Sequence, residues 1–150
     1  MDRMNITYEK LMSEHLPYMY DIRFSVKENL PHAHQIQYLQ KEQAEQDISQ
    51  GGGWMCKIDN QYAGYAFGIW VPEPLLGGLF VRPEFTRHGV GSHLLDLVTG
   101  WFFSEGAQEV TLTTDPDSLA EKFYKKRGWS ATELDEFGQL IFVKKKVSYD

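Results

Sequence analysis

The stretch from residue 75 to residue 106 constrains the fold more than any other part of the sequence. Residues 75–81 form an apolar run with the length and composition of a strand. After a turn that contains Gly89 and Gly91, apolar residues recur at helical spacing, and Gly106 stands where a glycine commonly follows a helix. A strand that leads through such a turn into an amphipathic helix predicts a helix packed on a sheet. The apolar stripe of the helix consists of Leu94, Leu95, Val98, Trp101 and Phe102.

Glycine and proline divide the rest of the chain into short segments, as in one mixed domain. The predicted element order is β-α-α-β-β-β-α-β-α-β-β. A first helix is expected to start at the N-cap Ser13 and to end at Asn29-Leu30-Pro31. A weaker helix is expected over residues 36–48, and Asp117 is the expected N-cap of a short helix that Gly128 ends. Strands are expected at residues 4–8, 54–58, 62–70, 75–81, 109–114, 129–134 and 140–146.

Composition limits the kind of protein. A length of 150 residues fits one domain that spans residues 1–150. Fifteen Lys and Arg against 21 Asp and Glu give a formal net charge of −6, which disfavours nucleic acid and anionic membranes as partners. The one cysteine, Cys56, excludes internal disulfides and is expected as a buried thiol, and no apolar run approaches the ~18 residues of a membrane span. These features predict a cytoplasmic protein.

The turn from Arg87 to Ser92 has the features of an anion-binding site. The first N–H groups of a helix lack partners within the helix, and the helix dipole is positive there. Glycine lets phosphate oxygens approach the backbone, and Arg87 and His88 add side-chain charge. From these residues alone, a simple tight turn is an equally good interpretation.

This turn resembles the coenzyme A-binding motif of the GNAT superfamily of N-acetyltransferases, Gln/Arg-x-x-Gly-x-Gly/Ala after a strand that ends in Val-x-Pro. The run Thr86-Arg87-His88-Gly89-Val90-Gly91 departs from that motif once, because Thr86 stands where Gln or Arg is usual. A second run, Asp117-x-x-Ala120-x-x-Phe123-Tyr124-x-x-x-Gly128-Trp129, is similar to the family's Asn-x-x-Ala-x-x-Phe/Leu-Tyr-x-x-x-Gly-Phe segment. Here Asp117 replaces the usual Asn and Trp129 the usual Phe. The run Arg23-x-Ser25-Val26-x-Glu28-Asn29 is similar to a little-characterised branch of the family.

The resemblance implies a mixed α/β fold, with a mostly antiparallel twisted sheet of about seven strands, one splayed parallel pair and about four flanking helices. It implies acetyl-CoA as co-substrate, no metal, and acetyl transfer to the amine of a small molecule or peptide. The coenzyme-binding residues implied by position are Leu79, Phe80, Val81, Arg87, His88, Gly89, Val90, Gly91, Ser92, Asp117 and Tyr124.

The resemblance also implies catalytic roles. Tyr124 is expected to protonate the leaving thiolate, because a phenol is protonated at neutral pH. A backbone N–H near Phe80 is expected to stabilise the oxyanion. The attacking ammonium must lose a proton, and Glu28 is the preferred base because the first helix and its loop wall the acceptor side in this family. The alternative bases are Glu73, Glu84 and Asp115.

The acceptor is expected between Glu28-Asn29-Leu30, the loop of residues 32–37 and the outer end of the 62–70 strand. There Trp70 or Phe67 would offer an aromatic face to a cation. A competing interpretation is a non-catalytic module that binds acyl-CoA as a sensor or scaffold, and a homodimer is left open. A metal site at His32-x-His34 is disfavoured, since no third ligand has useful spacing. Four cationic residues are within reach of the nucleotide end of coenzyme A but are interpreted mainly as helix surface: Lys122, Lys125, Lys126 and Arg127.

Overall fold

The computed structural model describes residues 4–27, 31, 35 and 40–147. The elements follow the predicted order, with short 3-10 turns at Ser13–His15 and Pro83–Phe85. The helices are α1 (Leu16–Ser25), α2 (Lys41–Ser49), α3 (Val90–Ser104) and α4 (Leu119–Lys126). The strands are β1 (Ile6–Lys10), β2 (Gly53–Ile58), β3 (Gln61–Trp70), β4 (Pro74–Val81), β5 (Glu109–Thr114), β6 (Ser130–Leu134) and β7 (Leu140–Lys145).

The seven strands form one sheet in the order β1-β2-β3-β4-β5-β7-β6. Every neighbouring pair is antiparallel except β4 and β5, which run parallel and register only at Leu75 opposite Thr111. Beyond that point β4 continues to Val81 without registering with β5, so the sheet opens into a cleft between the two strands. The predicted fold class, including the splayed parallel pair, is confirmed.

A bulge shapes β4 beside this opening. Phe67 registers with Gly78 and Gly68 with Leu76, so the ladder passes over Gly77. A Cβ on Gly77 would lie 2.4 Å from the Phe67 ring, closer than any real contact. Only glycine fits at Gly77, and the extra residue bends β4 where it leaves β5.

Two clusters of side chains pack on the sheet. One joins α1 and α2 to β2 and β3 through Leu16, Met19, Ile22, Ile48 and Tyr65. The other brings α3 and α4 together with the sheet, and its members include Leu94, Val98, Phe102, Tyr124 and Phe142. The α3 stripe predicted from the sequence supplies much of the second cluster, because its spacing matches the helical repeat.

The first helix differs from the prediction at both ends. Ser13 is not an N-cap; it lies in the 3-10 turn, where the Met12 N–H donates to Nδ1 of His15 at 2.9 Å. The helix ends at Ser25, before the predicted Asn29-Leu30-Pro31, because Val26 is extended and the Ser25 hydroxyl bonds back to the Ile22 carbonyl at 2.6 Å. The second helix starts at Lys41, after an extended Gln40, and residues 36–39 of its predicted span lie outside the described residues.

The start of α4 is also shifted. Ser118, not Asp117, is the N-cap, and its Oγ accepts from the Glu121 N–H at 3.2 Å. Asp117 precedes the cap with φ 62°, and its N–H donates to the Glu121 carboxylate at 3.1 Å. Ser-x-x-Glu is a known helix-start pattern, so the sequence carried this signal. The β1 strand likewise starts two positions later than expected, at Ile6.

Gly68, which lies under α3, and Gly100, on the exposed side of α3, are expected to respond oppositely to alanine. A Cβ at Gly68 would lie 2.3 Å from the buried Phe102 ring, so Gly68→Ala should lower the free energy of unfolding by about 1–3 kcal/mol. A Cβ at Gly100 meets nothing within 4 Å, and Gly100→Ala should raise it by about 0.5–1 kcal/mol. Urea unfolding measures both. Equal effects would contradict the packing of α3 on β3.

Candidate active site

A cavity of about 310 Å³ lies where β4 and β5 separate. Its walls come from α1 and α2 on one side and from β3, β4, β5 and α4 on the other. Most of the lining is apolar, which lowers the local dielectric constant and strengthens electrostatic interactions inside. The polar side chains in the wall include Arg23, Asp47, Tyr65, Tyr124 and Gln139.

The edge of β4 presents backbone groups to this cleft. The Arg82 N–H donates to the Ala63 carbonyl at 2.8 Å, which makes these two residues a hydrogen-bonded antiparallel pair. Because such pairs alternate along a ladder, Phe80 bonds to β3, whereas the N–H groups of Leu79 and Val81 face away from β3 toward the cleft. The donors beside the cleft are therefore those of Leu79 and Val81, and the Phe80 N–H is not among them.

Tyr124 lies on α4, is 6% exposed and lines the cavity. Its ring packs edge-on against Trp129 and lies 6.0 Å from the centroid of Phe142. Burial raises the pKa of the Tyr124 phenol, so the hydroxyl stays protonated at neutral pH. The aromatic contacts fix the ring and leave the residue in the cavity wall.

The turn before α3 is where the sequence predicts the anion site. Gly89 is the N-cap with φ 73°, a conformation that side chains rarely adopt, and Arg87 and His88 are exposed just before it. The end of β4 is adjacent, since Cγ2 of Val81 lies 3.9 Å from the position of a Cβ on Gly91. That Cβ would be in ordinary contact, 3.5 Å, with the Phe123 ring, which agrees with the Gly or Ala of the resembled motif.

Arg127, one of four cationic residues that the sequence left mainly as helix surface, lies beside this turn. Its Nε donates to the Ser92 hydroxyl at 2.8 Å, and one Nη bonds the same oxygen. Its guanidinium lies 4.1 Å over the Phe123 ring. A cation is therefore held beside the first turn of α3, where the helix dipole is positive. The signal in the sequence for Arg127 is its place among basic residues just before Gly128, at the predicted end of the second helix after the glycine motif.

The predicted acceptor-side residues fall in several places. Glu28, Asn29 and Leu30, with residues 32–34 and 36–37 of the loop, lie outside the described residues. Gln35 of that loop lines the cavity and donates to Oε1 of Gln139 at 3.4 Å. Phe67 lines the cavity, whereas Trp70 packs against Phe102 with ring centroids 5.8 Å apart.

The alternative bases do not line the cavity, since Glu73 and Glu84 are exposed and Asp115 is half-buried beside Gln139. Asp117 is exposed at the start of α4.

Asp47 is a buried carboxylate in the cavity wall that sequence analysis did not single out. It is 5% exposed, lies on α2 and accepts from Nε2 of Gln43 at 2.9 Å. Burial raises the pKa of Asp47 above its ordinary range. Within the described residues it is the one Asp or Glu that lines the cavity. The signal in the sequence was that Asp47 lies three residues after Ala44 and next to Ile48, which places it on the buried face of α2.

Arg23 lies across the cavity wall from α1. Its guanidinium stacks over the Phe80 ring at 4.3 Å and bonds to the Tyr65 hydroxyl. Burial lowers the pKa of Arg23 and raises the pKa of Tyr65, and each partner offsets part of the other's shift. The Nε atom of Arg23 is buried and has no hydrogen-bond partner among the described residues. A cation with an unused donor therefore lies beside the β4 edge.

The comparisons with known proteins agree with this geometry. Residues 11–129 match the profile of the acetyltransferase (GNAT) family. The chain belongs to the GNAT acetyltransferase family. Acetyl-CoA is accordingly its co-substrate, and the exposed N–H groups of β4 and the glycine turn fit the amides and phosphates of that molecule.

Among curated relatives, an aminoglycoside N(6')-acetyltransferase type 1 from Salmonella typhimurium is 30% identical over 76 residues, and a protein of the same name from Salmonella enteritidis matches equally. The match covers 50% of this chain and 49% of each relative, so the alignment spans about half the length of these enzymes.

Solved structures share the fold at low sequence identity. The PaiA N-acetyltransferase from Thermoplasma acidophilum, solved with coenzyme A, has a TM-score of 0.78 at 20% identity and covers 95% of this chain and 99% of that one. The ribosomal-protein-S18-alanine N-acetyltransferase from Escherichia coli has a TM-score of 0.73 at 17% identity, with 97% of each chain covered.

The described residues contain neither a metal-binding cluster nor a membrane-spanning helix. No group of three or more His, Cys, Asp or Glu side chains there is arranged to hold a metal ion. No helix in the same part of the chain has the length and hydrophobicity that crossing a membrane requires.

Coenzyme A affinity is expected to depend on Gly89. Gly89→Val puts a branched side chain over the first amides of α3, and should weaken coenzyme A binding about tenfold or more by calorimetry. Gly106→Val is the matched control, because Gly106 also has positive φ and open surroundings but lies at the opposite end of α3. Equal losses in the two variants would reflect backbone strain alone and contradict the proposed phosphate site.

Proposed function

We propose that this chain transfers the acetyl group of acetyl-CoA to a primary amine held in the cavity, by direct attack within a ternary complex. The observation that carries the proposal is that the open backbone edge of β4 and the Tyr124 side chain line one cavity. The amine nitrogen bonds to the thioester carbonyl carbon, and the carbon–sulfur bond then breaks. The electron pair leaves on sulfur as a thiolate, and the nitrogen gives up a proton.

The β4 edge supports the oxyanion role. Negative charge develops on the carbonyl oxygen during attack, and a fixed N–H donor in an apolar cavity stabilises it strongly. The N–H groups of Leu79 and Val81, on either side of Phe80, face the cleft and are the proposed donors. Because the ladder to β3 holds the backbone rigid, these donors need little reorganisation during the reaction.

Tyr124 is proposed as the general acid for the thiolate. Its raised pKa keeps the proton on the phenol throughout the physiological range. A thiolate formed in the same apolar cavity is also poorly solvated, so its affinity for a proton is high as well. Proton donation from Tyr124 to sulfur releases a neutral thiol and leaves a phenolate, which regains a proton in exchange for the one that the amine nitrogen gives up.

The incoming ammonium requires a proton acceptor, and two carboxylates are proposed. Glu28 remains a prediction, since it lies outside the described residues. Asp47 is supported by its place in the cavity wall and by its raised pKa, which brings a carboxylate closer to the basicity that general-base catalysis needs. Either carboxylate also attracts the positively charged form of the amine.

The coenzyme is proposed to run from the cavity along β4 to the α3 turn. The pantetheine arm would run along Leu79, Phe80 and Val81, with hydrogen bonds to the backbone of Leu79 and Val81, and the pyrophosphate would lie against the amides after Gly89. Positive charge at this turn opposes the chain's overall net charge of −6 and draws the phosphates to one place. The remaining residues proposed for the coenzyme are Arg87, His88, Val90, Gly91, Ser92, Asp117, Tyr124 and Arg127.

The acceptor is a primary amine of a small molecule or peptide. The partial match to aminoglycoside acetyltransferases makes an aminoglycoside one candidate to assay. Incubating the chain with acetyl-CoA and a panel of amines, with release of free thiol as the readout, tests the function. Coenzyme A binding without turnover of any amine would instead favour an acyl-CoA sensor.

Removing the Tyr124 hydroxyl should slow the reaction without unfolding the chain. Tyr124→Phe keeps the ring contacts with Trp129 and Phe142, so coenzyme A affinity should stay the same while kcat falls about 10²- to 10⁴-fold. Tyr62→Phe is the matched control, because Tyr62 lies outside the cavity wall. Wild-type kcat in Tyr124→Phe would assign the proton donation to water.

Asp47 should give the reaction a pH dependence. The carboxyl is a base only when ionised, so kcat/KM should fall as pH decreases through its raised pKa, and Asp47→Asn should remove that step. Asp96→Asn, an exposed change on α3, is the control. If Glu28→Gln removes the step and Asp47→Asn does not, Glu28 is the base.

The ionisation of Asp47 should make the folded state less stable as pH rises, whereas it should make the enzyme more active. A carboxyl whose pKa is raised by folding favours the folded state at low pH, and this contribution is lost as pH rises through the raised pKa. Asp47→Asn mimics the neutral acid, so its Tm should exceed that of the wild type at neutral pH, and the two should converge in acid. A difference independent of pH would show that ionisation of Asp47 is not responsible.

A further inference from the structure

We propose that Arg23 binds an anionic group of the acceptor, so that the acceptor is an amine that also carries a carboxylate and has an apolar body, as in an apolar α-amino acid. The inference rests on the proposed function and specifies its substrate class. It follows from an unpaired cation in the cavity wall.

Arg23 has donors to spare. A guanidinium carries five N–H donors in one plane. One face of this plane lies on the Phe80 ring, and the guanidinium also makes a hydrogen bond with the Tyr65 hydroxyl. The Nε donor is buried, and the part of the chain that the structure describes offers it no hydrogen-bond partner. The contacts with Phe80 and Tyr65 therefore hold the guanidinium in place without satisfying it, which is how a preorganised binding group is built.

The charge of Arg23 is also uncompensated. No carboxylate among the described residues lies within ion-pair distance of it, even though acidic residues outnumber basic ones in the chain. A half-buried cation without a counter-ion is costly, and the cost falls when an anion enters beside it. A planar guanidinium fits a carboxylate through two parallel hydrogen bonds.

The same cavity contains a group for the other end of such a molecule. Asp47 lines it from α2, so the wall carries a cation and a carboxylate that match the two charges of an amino acid. The rest of the acceptor side is apolar, with Leu16, Met19, Ile48 and Ile69 in the lining. An acceptor with several positive charges, such as an aminoglycoside, would instead be repelled by Arg23.

Matched pairs of acceptors test this directly with the wild-type chain. Each pair consists of an amino acid and the amine obtained by removing its carboxylate: L-leucine and 3-methylbutylamine, L-phenylalanine and phenethylamine, L-methionine and 3-(methylthio)propylamine. We expect kcat/KM to be about 10- to 100-fold higher for at least one amino acid than for its amine, the range of a charge-assisted hydrogen bond.

Variants assign that preference to Arg23. Arg23→Met should erase the preference through a raised KM for the amino acid and leave the carboxylate-free amine nearly unaffected, whereas Arg23→Lys should restore part of it. Lys27→Met removes a nearby exposed positive charge and should change nothing. If Arg23→Met does not fold, Arg23→Gln and the wild-type pairs still decide the question.

The outcomes separate this inference from the proposed function. Acetylation of the plain amines at rates equal to or above those of the amino acids would overturn the role of Arg23 and leave the function intact. If no amine is acetylated, calorimetry of each pair in the presence of coenzyme A replaces kinetics, and equal or absent binding of the amino acids overturns the inference. Weaker coenzyme A binding in Arg23→Met would assign the guanidinium to the coenzyme instead.

Discussion

The single point of registry between β4 and β5 determines most of what this chain can do. Leu75 and Thr111 pair, and beyond them the bulge at Gly77 turns β4 away from its parallel neighbour. A continuous ladder would satisfy every backbone group of β4 internally. The separation instead leaves N–H groups facing a cleft, and α1, α2 and α4 close that cleft into a cavity. The cavity, the exposed N–H donors and the position of Tyr124 in the cavity wall all depend on this separation of β4 from β5.

Burial then changes the chemistry of the side chains around the cavity. Tyr124 and Asp47 both have raised pKa values because the surroundings solvate their charged forms poorly. The pKa of Arg23 is lowered, because burial disfavours the charged form of a cation. Hydrogen bonds compensate only in part, through Gln43 for Asp47 and Tyr65 for Arg23. Such groups reduce stability, and they persist where function needs a charge held without water.

The sequence predicted a helix or strand well where its formation depends on the pattern of residues within that one element. The α3 stripe and the strand at 109–114 are confirmed, because both depend on side-chain spacing within one element. Helix ends were less predictable. Ser13 and Asp117 are good N-cap residues, but His15 and Ser118 make the hydrogen bonds that decide the boundaries. Several residue types cap helices with similar free energies, so composition alone does not choose among them.

The sequence by itself determined the family, the co-substrate and the fold class, because two motifs combine glycine spacing, apolar periodicity and a tyrosine that only a narrow set of structures accommodates. The tertiary structure decided which side chains share the cavity. Arg23 comes from α1, Asp47 from α2 and Gln139 from the turn before β7, and Arg127 reaches Ser92 across 35 positions. No local pattern marks such residues, since their proximity results from the packing of α1, α2 and α4 around the opening in the sheet.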